Sequence, residues 1–149
     1  MSIRLRLSLS SRMNSRVNLV CLDVGEKRIG VAVADTSVRI AVPYETIEVD
    51  GSELEAIAKI VVAENAETLV VGYPRNQSGE ATAQTRYVEA FAATLQDIAP
   101  TIVFQDESLT SVIAEQQLAA HKRPYSKGDI DARAAAIILQ DYLELHYAR

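Results

Sequence analysis

Asp23 stands inside an apolar strand, and that placement constrains the fold more than any other feature of the chain. Residues 20–24 read Val-Cys-Leu-Asp-Val, Gly25-Glu26-Lys27 turn the chain, and an alternating run from Ile29 to Val33 returns beside the first. This is the pattern of an antiparallel hairpin. A carboxylate within an apolar strand costs free energy unless something nearby neutralises it. A metal ion, the counter-ion of a bound phosphate or a basic side chain would serve. An Asp that caps the turn through its own backbone is the structural alternative.

The remaining elements follow from periodicity. Strand one is expected over about residues 17–24 and strand two over about 28–35. A third run, about 38–49, contains Pro43, which removes a ladder donor and belongs on a sheet edge. Ser52 and Glu55 form a capping-box signature, and Leu54, Ile57, Ala58 and Val61 follow at helical spacing. Residues 67–72 read as a short strand buried on both faces, which suits a parallel neighbour. After a polar loop with Pro74, Arg75, Asn76 and Gly79, a second helix carries Val88, Phe91, Ala92 and Leu95 on one face. Residues 101–105 form a fifth strand, 110–121 a third helix, and a basic loop leads into a final Ala/Ile/Leu-rich helix. Three strands followed by alternating helices and strands predict an α/β fold. Its core is a five-stranded mixed sheet, with an antiparallel start and parallel crossover strands, flanked by helices.

Composition narrows the functional classes. A 149-residue chain that is 48% hydrophobic and 23% charged can bury a core as one globular unit. The lone cysteine, Cys21, excludes an internal disulfide and a cysteine-based zinc cluster. No apolar run is long enough to span a bilayer, so no membrane association is expected. The net charge of −5 argues against binding nucleic acid through a simple basic surface. The charge is uneven, because Arg4, Arg6, Arg12 and Arg16 precede the first acid. Residues 1–16 are Ser/Arg-rich and read as a disordered extension. They have the composition of a transit peptide, or of an overlong start with Met13 as the true first residue. Residues 17–149 read as the folded domain.

Three acids fall at element ends. Asp23 is near the end of strand one, and Glu107 lies just past strand five, at the carboxyl edge where open α/β sheets bind ligands. Asp131 is near the start of the last helix. Ser126 and Asp129 already fit a helix-capping signal, which explains Asp129 and leaves Asp131 without a structural reason. Asp131 also shares a helical face with Ala135, Ile138 and Tyr142. Three converging carboxylates, with no cysteine or histidine cluster, suit Mg²⁺ or Mn²⁺. Such ions promote in-line attack on a phosphodiester. His121 and His146 lack zinc-hydrolase spacing, and no nucleophile-elbow, dinucleotide or P-loop motif occurs.

Four segments, Asp23-Val-Gly-Glu-Lys-Arg-Ile-Gly-Val-Ala, Val71-Gly-Tyr-Pro-Arg-Asn, Asp106-Glu-Ser-Leu-Thr-Ser and Asp131-Ala-Arg-Ala-Ala-Ala-Ile-Ile-Leu-Gln, resemble the YqgF family. That family comprises candidate Holliday junction resolvases or pre-16S rRNA nucleases of bacteria. The resemblance spans about residues 19–145. It implies a ribonuclease H-like fold, a cytoplasmic location and a role in maturing the 5′ end of small-subunit ribosomal RNA. The implied partners are structured precursor RNA and the assembling small ribosomal subunit, with branched DNA as the alternative substrate, for a monomer or homodimer. By position, the family's acids fall on Asp23, Glu107 and Asp131. Two positions depart from its pattern. Ser108 replaces a usual arginine, so that phosphate contact would pass to Arg75 or Arg123, and Arg133 stands where a small or apolar residue is common. Lys27, Arg28, Arg75, Arg86, Lys122, Arg123 and Lys127 are candidates for contacting a nucleic-acid backbone. Asn76 either donates to a phosphate or shapes its turn, and Tyr125 is a candidate for stacking on a base.

Two other classes compete with a metal-dependent endonuclease. Asp23-Val-Gly25 followed by Lys27 also resembles the hairpin of actin and sugar-kinase type ATPases. Those need two such domains around a cleft, more than 149 residues supply. A non-catalytic RNA-binding or transcription-associated module would keep the fold. Such a module gains nothing from placing three acids beside phosphate.

Overall fold

The computed structural model describes residues 16–76, 78–107, 110–121 and 124–147. The extension read over residues 1–16 lies almost wholly outside them, as do Ser108, Lys122 and Arg123. The strands are β1 (Asn18–Val24), β2 (Arg28–Asp35), β3 (Val42–Glu48), β4 (Thr68–Pro74) and β5 (Thr101–Glu107). The helices are α1 (Glu53–Ala63), α2 (Ala83–Ala93), α3 (Thr110–Ala120) and α4 (Lys127–His146). The strands form one sheet in the order β3-β2-β1-β4-β5. β1, β2 and β3 pair antiparallel, while β4 runs parallel to β1 and to β5. This is the mixed sheet expected from the order of elements. Among the described residues no helix is long and apolar enough to cross a membrane.

Because side chains alternate along a strand, each strand divides its residues between two cores. Val20, Leu22 and Val24 of β1 pack with Leu69 and Val71 of β4, against Ile57, Ile60 and Val61 of α1 and Val88 of α2. Leu19 and Cys21 of β1, Ala32 of β2 and Val70 of β4 pack on the opposite face, against Ala135, Ile138, Leu139 and Tyr142 of α4. Asp23, two residues beyond Cys21, therefore falls on the α4 face. The apolar spacing of β4 reflects this burial on both faces.

Pro43 does lie on an outer strand, and the β2–β3 register slips by one residue opposite it. Local polar contacts override the sequence pattern in two places. β3 begins at Val42 rather than at residue 38, because Asp35 Oδ1 accepts the N–H groups of Ser37 (2.9 Å) and Val38 (2.7 Å) and curls the chain into a turn. Arg39 follows with φ 61°. Ser52 makes no side-chain cap on α1. Its hydroxyl donates to Asp50 Oδ1 at 2.6 Å instead, and Glu53 Oε1 takes the N–H groups of Asp50 and Gly51. The buried stripe of α1 is Ile57, Ile60 and Val61, which leaves Leu54 at the surface. The capping box at Ser126 and Asp129, by contrast, forms on both sides.

Candidate active site

The site is built where two glycines let other groups come close to the sheet. Asp23 pairs directly across the hairpin with Gly30. A Cβ on Gly30 would collide with the backbone carbonyl of Asp131 and reach within 3.0 Å of the Ala132 nitrogen. α4 can seat its first turn on the hairpin only because residue 30 has no side chain. Arg28, on the same face two residues earlier, donates from Nε to Asp131 Oδ2 at 2.6 Å. This pair fixes the third acid beside the first.

Gly72 does the same for Glu107. A Cβ there would meet the Glu107 carboxylate and lie 2.9 Å from Ile138 Cδ1 of α4. The Glu107 side chain thus folds over β4 onto the α4 face, next to β1. Asp23, Glu107 and Asp131 consequently share one face at one end of the sheet, each half-buried.

Their charges interact. Burial, with the Asp131 charge second, raises the Asp23 carboxyl to about 6. Burial, with the Asp23 charge second, raises Glu107 to about 8. The Cys21 thiol beneath them is pushed up by burial first, then by Asp23 and Glu107. Among the described residues, no hydrogen bond or ion pair engages the carboxylates of Asp23 and Glu107, while Asp131 has Arg28. Among the described residues the one buried side-chain nitrogen or oxygen without a partner is Arg133 Nε, so the free oxygens of Asp23 and Glu107 are open to solvent. Two repelling carboxylates with open oxygens are a donor set suited to a hard divalent cation. As they stand, no three acidic, histidine or cysteine side chains among the described residues are close enough to share one ion. Arg28 supplies the positive charge at Asp131 instead.

The basic candidates scatter. Lys27 is exposed on the hairpin turn beside Arg28, Arg86 is exposed on α2, and Lys127 is exposed at the start of α4. Arg75 is held by Asp106 at 2.5 Å and lies 5.3 Å over the Tyr73 ring. Asn76 shapes its own turn: Oδ1 accepts the N–H groups of Ser78 (3.0 Å) and Glu80 (2.8 Å). Lys122 and Arg123 lie outside the described residues. The sequence reading assigned no role to Gly30 and Gly72, although a glycine inside a strand is itself a sign of close approach.

A family model described as RuvX, Holliday junction resolvase, matches residues 17–145. The chain belongs to the RuvX family. Relatives carry the name of a candidate pre-16S rRNA nuclease. The one from Chloroflexus aurantiacus is 43% identical over 138 residues, covering 89% of each chain. The one from Synechocystis is 41% identical over 138 residues, covering 89% of this chain and 91% of its own. Among solved structures, Thermus thermophilus RuvC in complex with a Holliday junction superposes with a TM-score of 0.52. It is 13% identical, over 87% of this chain and 95% of that one. The fowlpox virus resolvase with its junction DNA gives 0.52 at 12% identity, over 87% and 98%. At such identities the likeness is one of fold, and it makes this RuvX-family chain ribonuclease H-like. The RuvX match runs through all three acids and both glycines of the site.

Proposed function

We propose that this RuvX-family chain is a metal-dependent endonuclease that hydrolyses phosphodiester bonds in ribosomal RNA precursor, at the 5′ end of the small-subunit RNA. Asp23, Glu107 and Asp131 carry the chemistry, within residues 17–149 as the catalytic domain of a cytoplasmic protein. The observation that carries this reading is the pair of unpartnered, mutually repelling carboxylates, Asp23 and Glu107, on the face where Arg28 holds Asp131. The names of the relatives supply the RNA substrate.

Mg²⁺ or Mn²⁺ held by Asp23 and Glu107 would neutralise their charge, activate water and stabilise the leaving oxygen. The chain's own groups do the rest. Asp23 and Glu107 would hold the ion through their open oxygens, and their burial would keep the local dielectric low, so that each interaction there is strong. Arg28 orients Asp131. Lys27, beside it on the hairpin turn, and Lys127, at the start of α4, offer charge to a phosphate backbone, which gives affinity without sequence preference.

The test is cleavage of a labelled ribosomal RNA precursor containing the 5′ processing site, with Mn²⁺, Mg²⁺ or chelator, comparing wild type with Asp23→Asn. Metal-dependent cleavage that falls at least ~10²-fold in the variant is the expected result. A four-way DNA junction runs alongside, because the family description is that of a junction resolvase. Cutting of the junction alone would transfer the activity to branched DNA. Failure of clean wild-type protein to cut either substrate, with metal present, would sink the nuclease reading.

A further inference from the structure

At the start of α4, a cleft of about 600 Å³ opens between α4, the end of α3 and the outer strand β3. Its floor is fixed by Thr46, whose hydroxyl donates to the Gly128 carbonyl at 2.6 Å. Tyr44 and Tyr125 line it and keep 40% and 38% of their surface exposed, so each offers a ring to a visitor. Pro43 and Pro124 add flat apolar surface. Arg133 also lines it. Among the described residues this guanidinium has no carboxylate partner, and its Nε is buried without a hydrogen bond. Glu45 and Asp129 bring negative charge to the same walls.

We propose that this cleft is a subsite for an unpaired nucleobase of the strand being cut, a reading that rests on the nuclease function above. The chemistry selects a base over a phosphate. Two carboxylates repel phosphate, whereas aromatic rings stack on any base, and a guanidinium with a nearby carboxylate offers a donor and an acceptor to a base edge. The base must be unpaired, because in a duplex both of its faces are already stacked. The location ties the cleft to the reaction. Ala132 lines it, and the Ala132 nitrogen and the Asp131 carbonyl are the atoms seated on Gly30. A strand crossing the start of α4 would place one nucleotide here and a neighbouring phosphate at the acids. Arg133, whose Nε has no hydrogen-bond partner among the described residues, then supplies the base contact.

The experiment measures Kd by fluorescence anisotropy in chelator, where no strand is cut. The ligands are a short single-stranded RNA, the DNA strand of the same sequence and the fully paired RNA duplex. Tyr125→Ala and Tyr44→Ala should each weaken single-strand binding about tenfold, as loss of one base stack does. Duplex affinity should stay unchanged, and Tyr125→Phe should bind as wild type does. Losses on both RNA and DNA identify the shared base chemistry, and a loss on RNA alone assigns the subsite to RNA. Equal affinity of wild type and both Ala variants for the single strand overturns the proposal, as does an equal loss on strand and duplex. Precursor cleavage is followed in parallel. Unchanged strand binding by the variants beside active wild-type enzyme removes the subsite alone. A wild type that binds strands but never cuts removes the nuclease reading instead.

Discussion

Gly30→Ala tests whether the close seat of α4 on the hairpin is what assembles the acids. The new Cβ would lie about 1 Å inside the 3.0 Å limit that real Cβ atoms respect, against the Asp131 carbonyl oxygen, and would press on the Asp131 carbonyl carbon and the Ala132 nitrogen. All three are backbone atoms of a 20-residue helix, so no side chain can rotate aside and the first turn must lift. A gap of 0.5–1 Å already forfeits roughly a quarter to a half of each dispersion well around it, and buried Ala132 and Ala135 sit there. Overpacking costs about 1–3 kcal/mol where side chains can yield. With backbone as the obstacle we place this substitution at the top of that range, ~3 kcal/mol. In a domain of this size that is roughly a 10 °C fall in melting temperature. Gly72→Ala is the internal control. Its Cβ meets only the tips of Glu107 and Ile138, so it should cost ~1 kcal/mol while swinging the Glu107 carboxylate aside. Calorimetry and precursor cleavage read the two effects separately. Gly30→Ala loses stability and activity together, whereas Gly72→Ala melts near wild type and loses at least about tenfold in rate, or 1.4 kcal/mol. A Gly30→Ala protein with wild-type melting and wild-type cleavage would refute the reasoning.

Two further outcomes follow from the unpartnered carboxylates. In chelator, the folded state retains protons on Asp23 (about 6) and Glu107 (about 8) that the unfolded chain has released. The stability these two groups contribute is therefore fully present below the ordinary carboxylate range and is lost as pH rises through about 8. Urea denaturation should be easier at pH 8.5 than at pH 5, and Glu107→Gln should shrink that difference; a rise in stability with pH would contradict the shifts. Adding Mg²⁺ or Mn²⁺ at 100 times its Kd at pH 8 should stabilise wild type by about 2.7 kcal/mol, and the same concentration should stabilise it less at pH 6 because protons compete for the same oxygens. A melting temperature of wild type indifferent to metal, or equally raised in Asp23→Asn, would count against the site.

Much of this was legible in the sequence, for reasons that can be located. The hairpin, the edge placement of Pro43, the doubly buried β4 and the order of elements rest on short-range periodicity and on one missing donor. Asp131 was legible by elimination, since Asp129 already had the cap. What escaped depended on partners distant in sequence or on competition within a few residues. Arg28 and Asp131 are 103 positions apart, and nothing local distinguishes Arg28 from Arg75, whose guanidinium is taken by Asp106 on the neighbouring strand. The start of β3 and the cap of α1 were misplaced because Asp35 and Glu53 satisfy backbone donors that the pattern assigned elsewhere. The closeness of Glu107 to Asp23 needed Gly72, whose importance lies in what it lacks.

Cys21, packed under the acids, has a practical corollary. It is the sole cysteine of the chain, it is fully covered, and its thiol is raised by burial and by two carboxylates, so thiolate-directed reagents will pass it by. A second cysteine placed on the protein surface would then be the only one to accept a fluorophore or spin label, with the native residue left in place. The protein thus comes ready for single-site spectroscopy, and a reporter near the mouth of the α4 cleft could follow a strand arriving in real time.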